Sequence, residues 1–291
     1  MHPCSDKVRQ LFENQSRTKE GRFLWHEAAS RLQERLSVMS IDVDRLIDVG
    51  CGQGQDLVWL KKQFPQSLAV GLDGAFSPVR QASRNNREAE TAWLCGNAET
   101  MLFQPGTFSL VWSNMMLHWA EDIGVVLSNW HQMLRQEGLL LFSCLGYGSL
   151  HELYHAFERL DGYGHVMTFP DCQQLGDALV QSGFPSPVLE REWLNLTYQD
   201  INVLLQDIRA LGGNPLADRR QGLMGKGTFA QLVQDLEALR DGTGQITLRF
   251  EIILGHAFKE NLLKENPGAG QERPIGFYQG TERTFPGSGR L

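Results

Sequence analysis

The sequence predicts an α/β fold: a doubly wound, mostly parallel sheet of seven strands, with N-terminal helices and a helical lid inserted before the last strand. Three observations predict it. A short apolar strand, Arg45-Leu46-Ile47-Asp48-Val49, runs into the glycine loop Gly50-Cys51-Gly52-Gln53-Gly54 and then into helical patterning from Asp56 to Phe64, which is how a doubly wound sheet opens. Short apolar runs and helical stretches keep alternating as far as Leu145. Two longer strand-like segments follow, separated by about 45 residues of helix and loop, too many for a simple crossover.

The elements follow in order. From Val8 to Leu36 the apolar residues Leu11, Phe12, Phe23, Leu24, Ala28, Leu32 and Leu36 recur at near-helical spacing. After the glycine loop and its helix, Leu68 to Leu72 is the second strand. Ser77-Pro78 reads as an N-cap with proline at the first helical position, leading into Val79 to Asn85. Trp93 to Cys95 and Phe108 to Ser113 are strands three and four. A helix over Ile123 to Arg135 leads to strand five at Gly138 to Leu145, and Gln173 to Ser182 is helical. Val188 to Tyr198 and Gln245 to Gly255 complete the strands; in the latter Ile246, Leu248, Phe250 and Ile252 alternate with Thr247, Arg249 and Glu251. Residues 1–263 are read as one domain, with the lid at about 200–244. Nine of the 28 residues from Lys264 to Leu291 are Gly or Pro and no period is visible, so that stretch is expected to be a flexible tail.

Composition excludes several function classes. The chain of 291 residues is 42% hydrophobic and 21% charged, ordinary for a globular protein. Met1 to Gln10 is polar, and no apolar run approaches the roughly 18 residues needed to span a membrane. A cytoplasmic, monomeric protein is expected. The five cysteines form no Cys-x-x-Cys pair, which argues for free thiols. A net charge of −7 speaks against nucleic-acid binding.

Gly50, Gly52 and Gly54 lack the further glycine that the dinucleotide fingerprint would place at Gln55. Asp73 ends the second strand, where a carboxylate can take both ribose hydroxyls. Gly96-Asn97-Ala98-Glu99 follows the third strand and offers groups for an adenine edge. Together these describe a nucleoside clamp without provision for a pyrophosphate.

Asp48 to Gly54, Gly71-Leu72-Asp73, Gly96 to Glu99 and Phe108 to Asn114 resemble the motifs of the class I S-adenosylmethionine-dependent methyltransferases, whose fold is Rossmann-like. The resemblance implies that S-adenosylmethionine is the cofactor and that Asp48, Gly50, Gly52, Gly54, Asp73, Asn97, Ala98 and Asn114 bind it. Asn97 stands where that family usually has Asp. The segments Gly148-Ser149-Leu150, Asp207 to Pro215 and Phe250 to Phe258 narrow the resemblance to the malonyl-acyl-carrier-protein O-methyltransferases of biotin synthesis. In that family a Tyr-Asp pair stands near the position of Thr18-Lys19.

The reaction so implied is esterification of a malonyl thioester at its free carboxylate, carried by an acyl carrier protein or by CoA. Such a carboxylate is already ionised near neutrality, so no catalytic base is needed and positioning suffices. A clamp must tell malonyl from acetyl, and Arg209 in the lid is the candidate, because guanidinium grips a carboxylate through two parallel hydrogen bonds. Ser113, His118, Trp119 and Ser149 are expected around the acceptor. Carrier proteins are acidic; Arg219, Arg220 and Lys226 form a basic cluster suited to one. The alternative reading is a methyltransferase-fold assembly factor, or a methyltransferase acting on another carboxylate or on a protein.

His151-Glu152-Leu153-Tyr154-His155 spells the zinc-protease pattern. Without a third ligand it reads instead as the start of a helix, with Ser149 and Glu152 as a capping box, and no metal is expected.

Overall fold

A computed structural model describes residues 4–15, 23–87, 90–158, 160, 163–211, 215–216, 222, 224–260 and 276–287. Helices α1 (Ser5–Gln15) and α2 (Phe23–Ser37) precede β1 (Arg45–Val49). There follow α3 (Gln55–Gln63), β2 (Leu68–Asp73), α4 (Phe76–Asn85), β3 (Thr91–Cys95), β4 (Phe108–Ser113), α5 (Ile123–Met133) and β5 (Leu134–Leu145). The second half comprises α6 (His151–Glu158), α7 (Cys172–Gln181), β6 (Val188–Tyr198), α8 (Ile201–Ala210), α9 (Lys226–Glu237), β7 (Ile246–Phe258) and β8 (Gly276–Pro286).

The sheet has eight strands in the order β3-β2-β1-β4-β5-β7-β6-β8. β7 runs antiparallel to both of its neighbours, and every other pairing is parallel. Core residues divide by the alternation of the strands. Leu139 and Leu141 of β5 and Ile246 to Leu254 at every second position of β7 pack with α2, α3 and the lid. Leu140, Phe142 and Cys144 of β5 pack on the other face, with α5 and α7. All six residues of β4 are buried, as in a parallel strand covered on both faces, and its two serines, Ser109 and Ser113, donate their hydroxyls to Arg45 O and Val49 O.

α2 lies on the sheet because Leu24, Ala28, Leu32 and Leu36 fall on one face at spacing four and are nearly fully buried. Each such leucine stabilises the packing by about 1.5–3 kcal/mol. The helix is further pinned to β6. Arg31 donates from Nε to Glu192 at 2.5 Å and also pairs with Glu27, while Arg35 pairs with Glu190.

The structure corrects four expectations. Residues 276–286 of the expected flexible tail form β8 and raise the strand number from seven to eight, with residues 261–275 and 288–291 outside the described residues. β8 has no apolar period of its own to read; it is held by the ladder along β6 and by Asn195, whose Nδ2 donates to Glu282 at 2.8 Å. α4 begins at Phe76 rather than after Ser77. Its first N–H groups are capped by Glu13 of α1, which accepts from Phe76 N at 2.5 Å and Ser77 N at 3.0 Å. α5 stops at Met133 and β5 begins at Leu134, because Lys259 Nζ takes the carbonyls of His131 and Leu134, at 2.8 and 2.9 Å. The capping box is not formed: Leu150 has φ of 60°, Ser149 Oγ exchanges hydrogen bonds with the Glu251 backbone, and Glu152 instead pairs with Arg249 Nε at 2.7 Å.

Candidate active site

A cavity of about 530 Å³ opens where β1 to β4 end, walled by the segments that follow those strands and by α1, α2 and α8. The floor is the glycine loop. Gly50, Gly52 and Gly54 all have positive φ, and Gly52 N donates to Asp73 Oδ2 at 2.9 Å, so loop and second strand are locked together. A Cβ added at Gly52 would meet nothing within 4 Å and would project into open space, whereas one at Gly54 would lie 2.1 Å from the Trp93 ring. Gly52 therefore leaves room at the cavity, while Gly54 lets α3 settle on β3.

Asp73 also accepts from Ala75 N at 2.8 Å, which orients its carboxylate at the end of β2. Beyond β3, Asn97 Oδ1 accepts from Glu99 N at 2.9 Å in a tight turn, and Ala98 O accepts from Asn129 Nδ2 at 3.1 Å. At the end of β4, the side-chain amide of Asn114 is held at both its oxygen and its nitrogen. Its Oδ1 accepts from Ser143 Oγ at 2.7 Å, and its Nδ2 donates to Trp25 O at 3.0 Å and bonds the Asp56 carboxylate. Met115, next along, has φ of 57°, a strained position of the kind that collects at functional sites.

Five carboxylates line this cavity, and three of them, Asp48, Asp56 and Asp73, have pKa values raised above the ordinary carboxylate range. Burial is the largest cause raising each of their pKa values. For Asp48, only 1% exposed, the neighbouring charges of Asp56 and Asp73 raise it further, to well above the ordinary range. Hydrogen bonds from Trp112 and Asn114 partly offset the rise at Asp56, and those from Ala75 and Gly52 partly offset it at Asp73. Asp48 Oδ2 has no hydrogen-bond partner among the described residues. Three acids crowded against one space form an unfavourable arrangement that a cation relieves.

The roof is α1 with the lid. Val8, Arg9 and Phe12 line the cavity, as do Trp25 and His26 of α2 and Ala210 of α8. Phe12 meets Trp119 edge-on at 5.3 Å. α1 is tied to the lid by Lys7 Nζ, which donates to Leu216 O at 2.8 Å, and to the other wall by Ser5 N, which donates to Glu121.

A protein-family profile described as "Methyltransferase domain" matches residues 47–142. The malonyl-[acyl-carrier protein] O-methyltransferase of Gallionella capsiferriformans is 34% identical over 264 residues, covering 87% of this chain and 90% of that one. The chain belongs to the malonyl-[acyl-carrier protein] O-methyltransferase family. Members from Xylella fastidiosa and Nitrosospira multiformis are 35% and 30% identical. In fold, the chain resembles the crystal structure of the YcgJ protein of Bacillus subtilis with a TM-score of 0.57 at 15% identity, covering 81% of this chain and 99% of that one.

The residues present fit the family's cofactor. S-adenosylmethionine carries a sulfonium and an ammonium group, and Asp48 has an unpartnered carboxylate oxygen behind a loop whose Gly52 leaves space. Of the cofactor residues expected from sequence, Asp48, Gly50, Gly52, Asp73, Asn97, Ala98 and Asn114 line the cavity, and Gly54 lies behind it. The acceptor residues fare differently. Trp119 lines the cavity, but Ser113 is buried with its hydroxyl on Val49 O at 2.8 Å, and Ser149 is spent on Glu251.

His118 is buried too. Its Nδ1 accepts from Leu145 N at 3.2 Å, and burial holds its pKa down to about 3, so the imidazole is neutral at any physiological pH. Arg209 is exposed on α8, beside the lining residue Ala210, and is not itself on the wall. Arg219 and Arg220 lie outside the described residues; Lys226 is exposed at the start of α9. Sequence reasoning passed over Asp56, Trp25, His26, Arg9 and Phe12. An acid two residues after the last loop glycine was the one signal available for Asp56. Among the described residues no group of three His, Cys, Asp or Glu side chains is arranged to hold a metal ion. His155 of the zinc-like pattern instead faces Glu158.

Proposed function

We propose that this chain is a carboxyl O-methyltransferase that esterifies the free carboxylate of malonyl-acyl carrier protein early in biotin synthesis. The observation that carries this reading is 34% identity over 87% of the chain to a curated enzyme of that name, joined to a cavity that fits its cofactor. S-adenosylmethionine, when bound, supplies an electrophilic methyl group.

The chain's own residues supply position and a dry site. Asp48 and Asp73 lie behind and beside the glycine loop, where their charge favours the cationic end and the ribose hydroxyls respectively. Asn114, fixed by Ser143 and Trp25, gives the cavity a rigid polar wall at the end of β4. Phe12 and Trp119 close one side against water, which strengthens the electrostatic interactions within. No base enters the reaction, which agrees with a buried, neutral His118. Arg209 is the proposed clamp for the malonyl carboxylate; it is exposed on α8 next to Ala210, which lines the cavity. Esterification cancels the negative charge it grips, which favours release.

The five unpaired cysteines suit a reducing, cytoplasmic setting, and no described helix is long and apolar enough to cross a membrane. Mass spectrometry of malonyl-acyl carrier protein after incubation with S-adenosylmethionine tests the reading. Gain of one methyl group, absent with acetyl-carrier protein, is expected. Tight cofactor binding by calorimetry with no methylated product would point to the assembly-factor alternative. Arg209→Ala is expected to raise the malonyl KM while leaving cofactor affinity intact, and equal loss of both would remove Arg209 from the clamp role.

A further inference from the structure

The outer face of α4 carries a feature that methyl transfer does not use. Phe76, Arg80 and Arg84 follow at intervals of four and so share one face of the helix, and Arg87 lies just beyond its end. All four are exposed. Arg84 and Arg87 also line a shallow groove between α3 and α4, with Lys62 on its other bank. None of Arg80, Arg84, Arg87 and Lys62 has a carboxylate partner among the described residues. Glu90, across the groove, lies 4.0 Å from Lys61, whose Nζ is already held by the carbonyls of Pro65 and Ser67.

Four cations without a carboxylate partner among the described residues, gathered on α4 and the facing bank of α3, are unexpected in a chain of net charge −7. The upper end of the stripe touches the active site, because Ala75 and Pro78, on either side of exposed Phe76, line the cavity. An acidic partner is repelled by most of this surface and finds its complement here.

We propose that α4 and the α3–α4 groove dock the acidic helical face of the acyl carrier protein, with Phe76 as the apolar contact nearest the cavity. The proposal rests on the reading that the acceptor is carrier-bound, and it places docking on α4 rather than on the Arg219, Arg220 and Lys226 cluster.

The test compares the full-length chain with Arg80→Glu/Arg84→Glu and, separately, Lys226→Glu. Each is assayed on malonyl-acyl carrier protein and on malonyl-pantetheine, at low and high salt, and titrated with labelled carrier protein to read binding without turnover. The α4 double variant is expected to lose about tenfold in kcat/KM on the carrier substrate at low salt, through KM, and to weaken carrier binding similarly. Its rate on malonyl-pantetheine and its affinity for S-adenosylmethionine should stay unchanged, and high salt should bring the native chain down to the variant's level. Unchanged carrier binding overturns the proposal, as does a loss found only in Lys226→Glu or an equal loss on malonyl-pantetheine. Binding of labelled RNA that the double variant abolishes while carrier binding persists also overturns it, in favour of nucleic acid. Failure of the native chain to methylate either thioester would reject the activity but leave the binding titration to decide on docking.

Discussion

Gly52 and Gly54 both sit at positive φ, yet an added methyl group has opposite consequences at the two. At Gly54 it would drive into the Trp93 ring at 2.1 Å, so Gly54→Ala is expected to destabilise the fold by several kcal/mol, as other overpacked and strained sites do. At Gly52 nothing lies within 4 Å, and only the backbone cost of about 1–2 kcal/mol applies. Gly52→Ala should therefore fold, with a modestly lower Tm, but lose cofactor affinity because the methyl occupies the space above the loop. Thermal melts with and without S-adenosylmethionine separate the two, and a Gly52→Ala protein still stabilised as strongly as the native chain would refute this division. The loop and Asp73 were legible in the sequence because strand, glycines and acid are local in the chain. Asp56 and His26 were not. Helical spacing shows which side of a helix is apolar, but not which helix crosses the mouth of a cavity formed by distant strands.

At the scale of elements, what the sequence hid was contact over long separations. Glu13 caps α4 from 63 residues away, so Ser77-Pro78 was a reasonable local start signal that a better, distant acceptor displaced. β8 was hidden for a similar reason: its Gly and Pro content argues against a strand until β6 presents an edge to pair with. Seven strands and their order of appearance were legible because each is a short apolar run or an alternating one bounded by turn or helical patterning, and the first lid helix because Ile201 to Leu211 has helical spacing. β8 also reaches the cofactor cover, since Phe285 packs on Phe23 at 4.8 Å and Arg283 lies 3.8 Å from Glu27, at the start of the helix that bears Trp25 and His26. Phe285→Ala is expected to cost about 1–2 kcal/mol, a Tm loss of a few degrees for a chain of this size. Amide exchange should quicken in β6 and in the first turns of α2, and no change in either would show that β8 is not anchored through this contact.

At the scale of the whole molecule, three elements, β1, α3 and β2, each bring one carboxylate to the same space, and desolvation raises all three pKa values. Between the ordinary carboxylate value of about 4 and the raised values, the ligand-free fold holds protons that the unfolded chain has released. Its stability accordingly falls as pH rises through that window. A cation in the cavity favours the ionised carboxylates and pulls those pKa values back down, so binding expels the protons. Affinity for S-adenosylmethionine should then grow as pH rises through the window and weaken on acidification, by at most about tenfold per pH unit for each proton linked. S-adenosylhomocysteine has a neutral sulfur in place of the sulfonium and should show a shallower dependence. Asp48→Asn, which removes the most strongly shifted acid but keeps an oxygen to accept from Leu57 N, should raise the ligand-free Tm near neutral pH and flatten the pH dependence of cofactor binding. Calorimetry in two buffers of different ionisation enthalpy reads the proton count directly. If no protons are released at mildly acidic pH, or if the sulfonium and thioether ligands show the same slope, the three acids do not act together as the counter-charge of the cofactor.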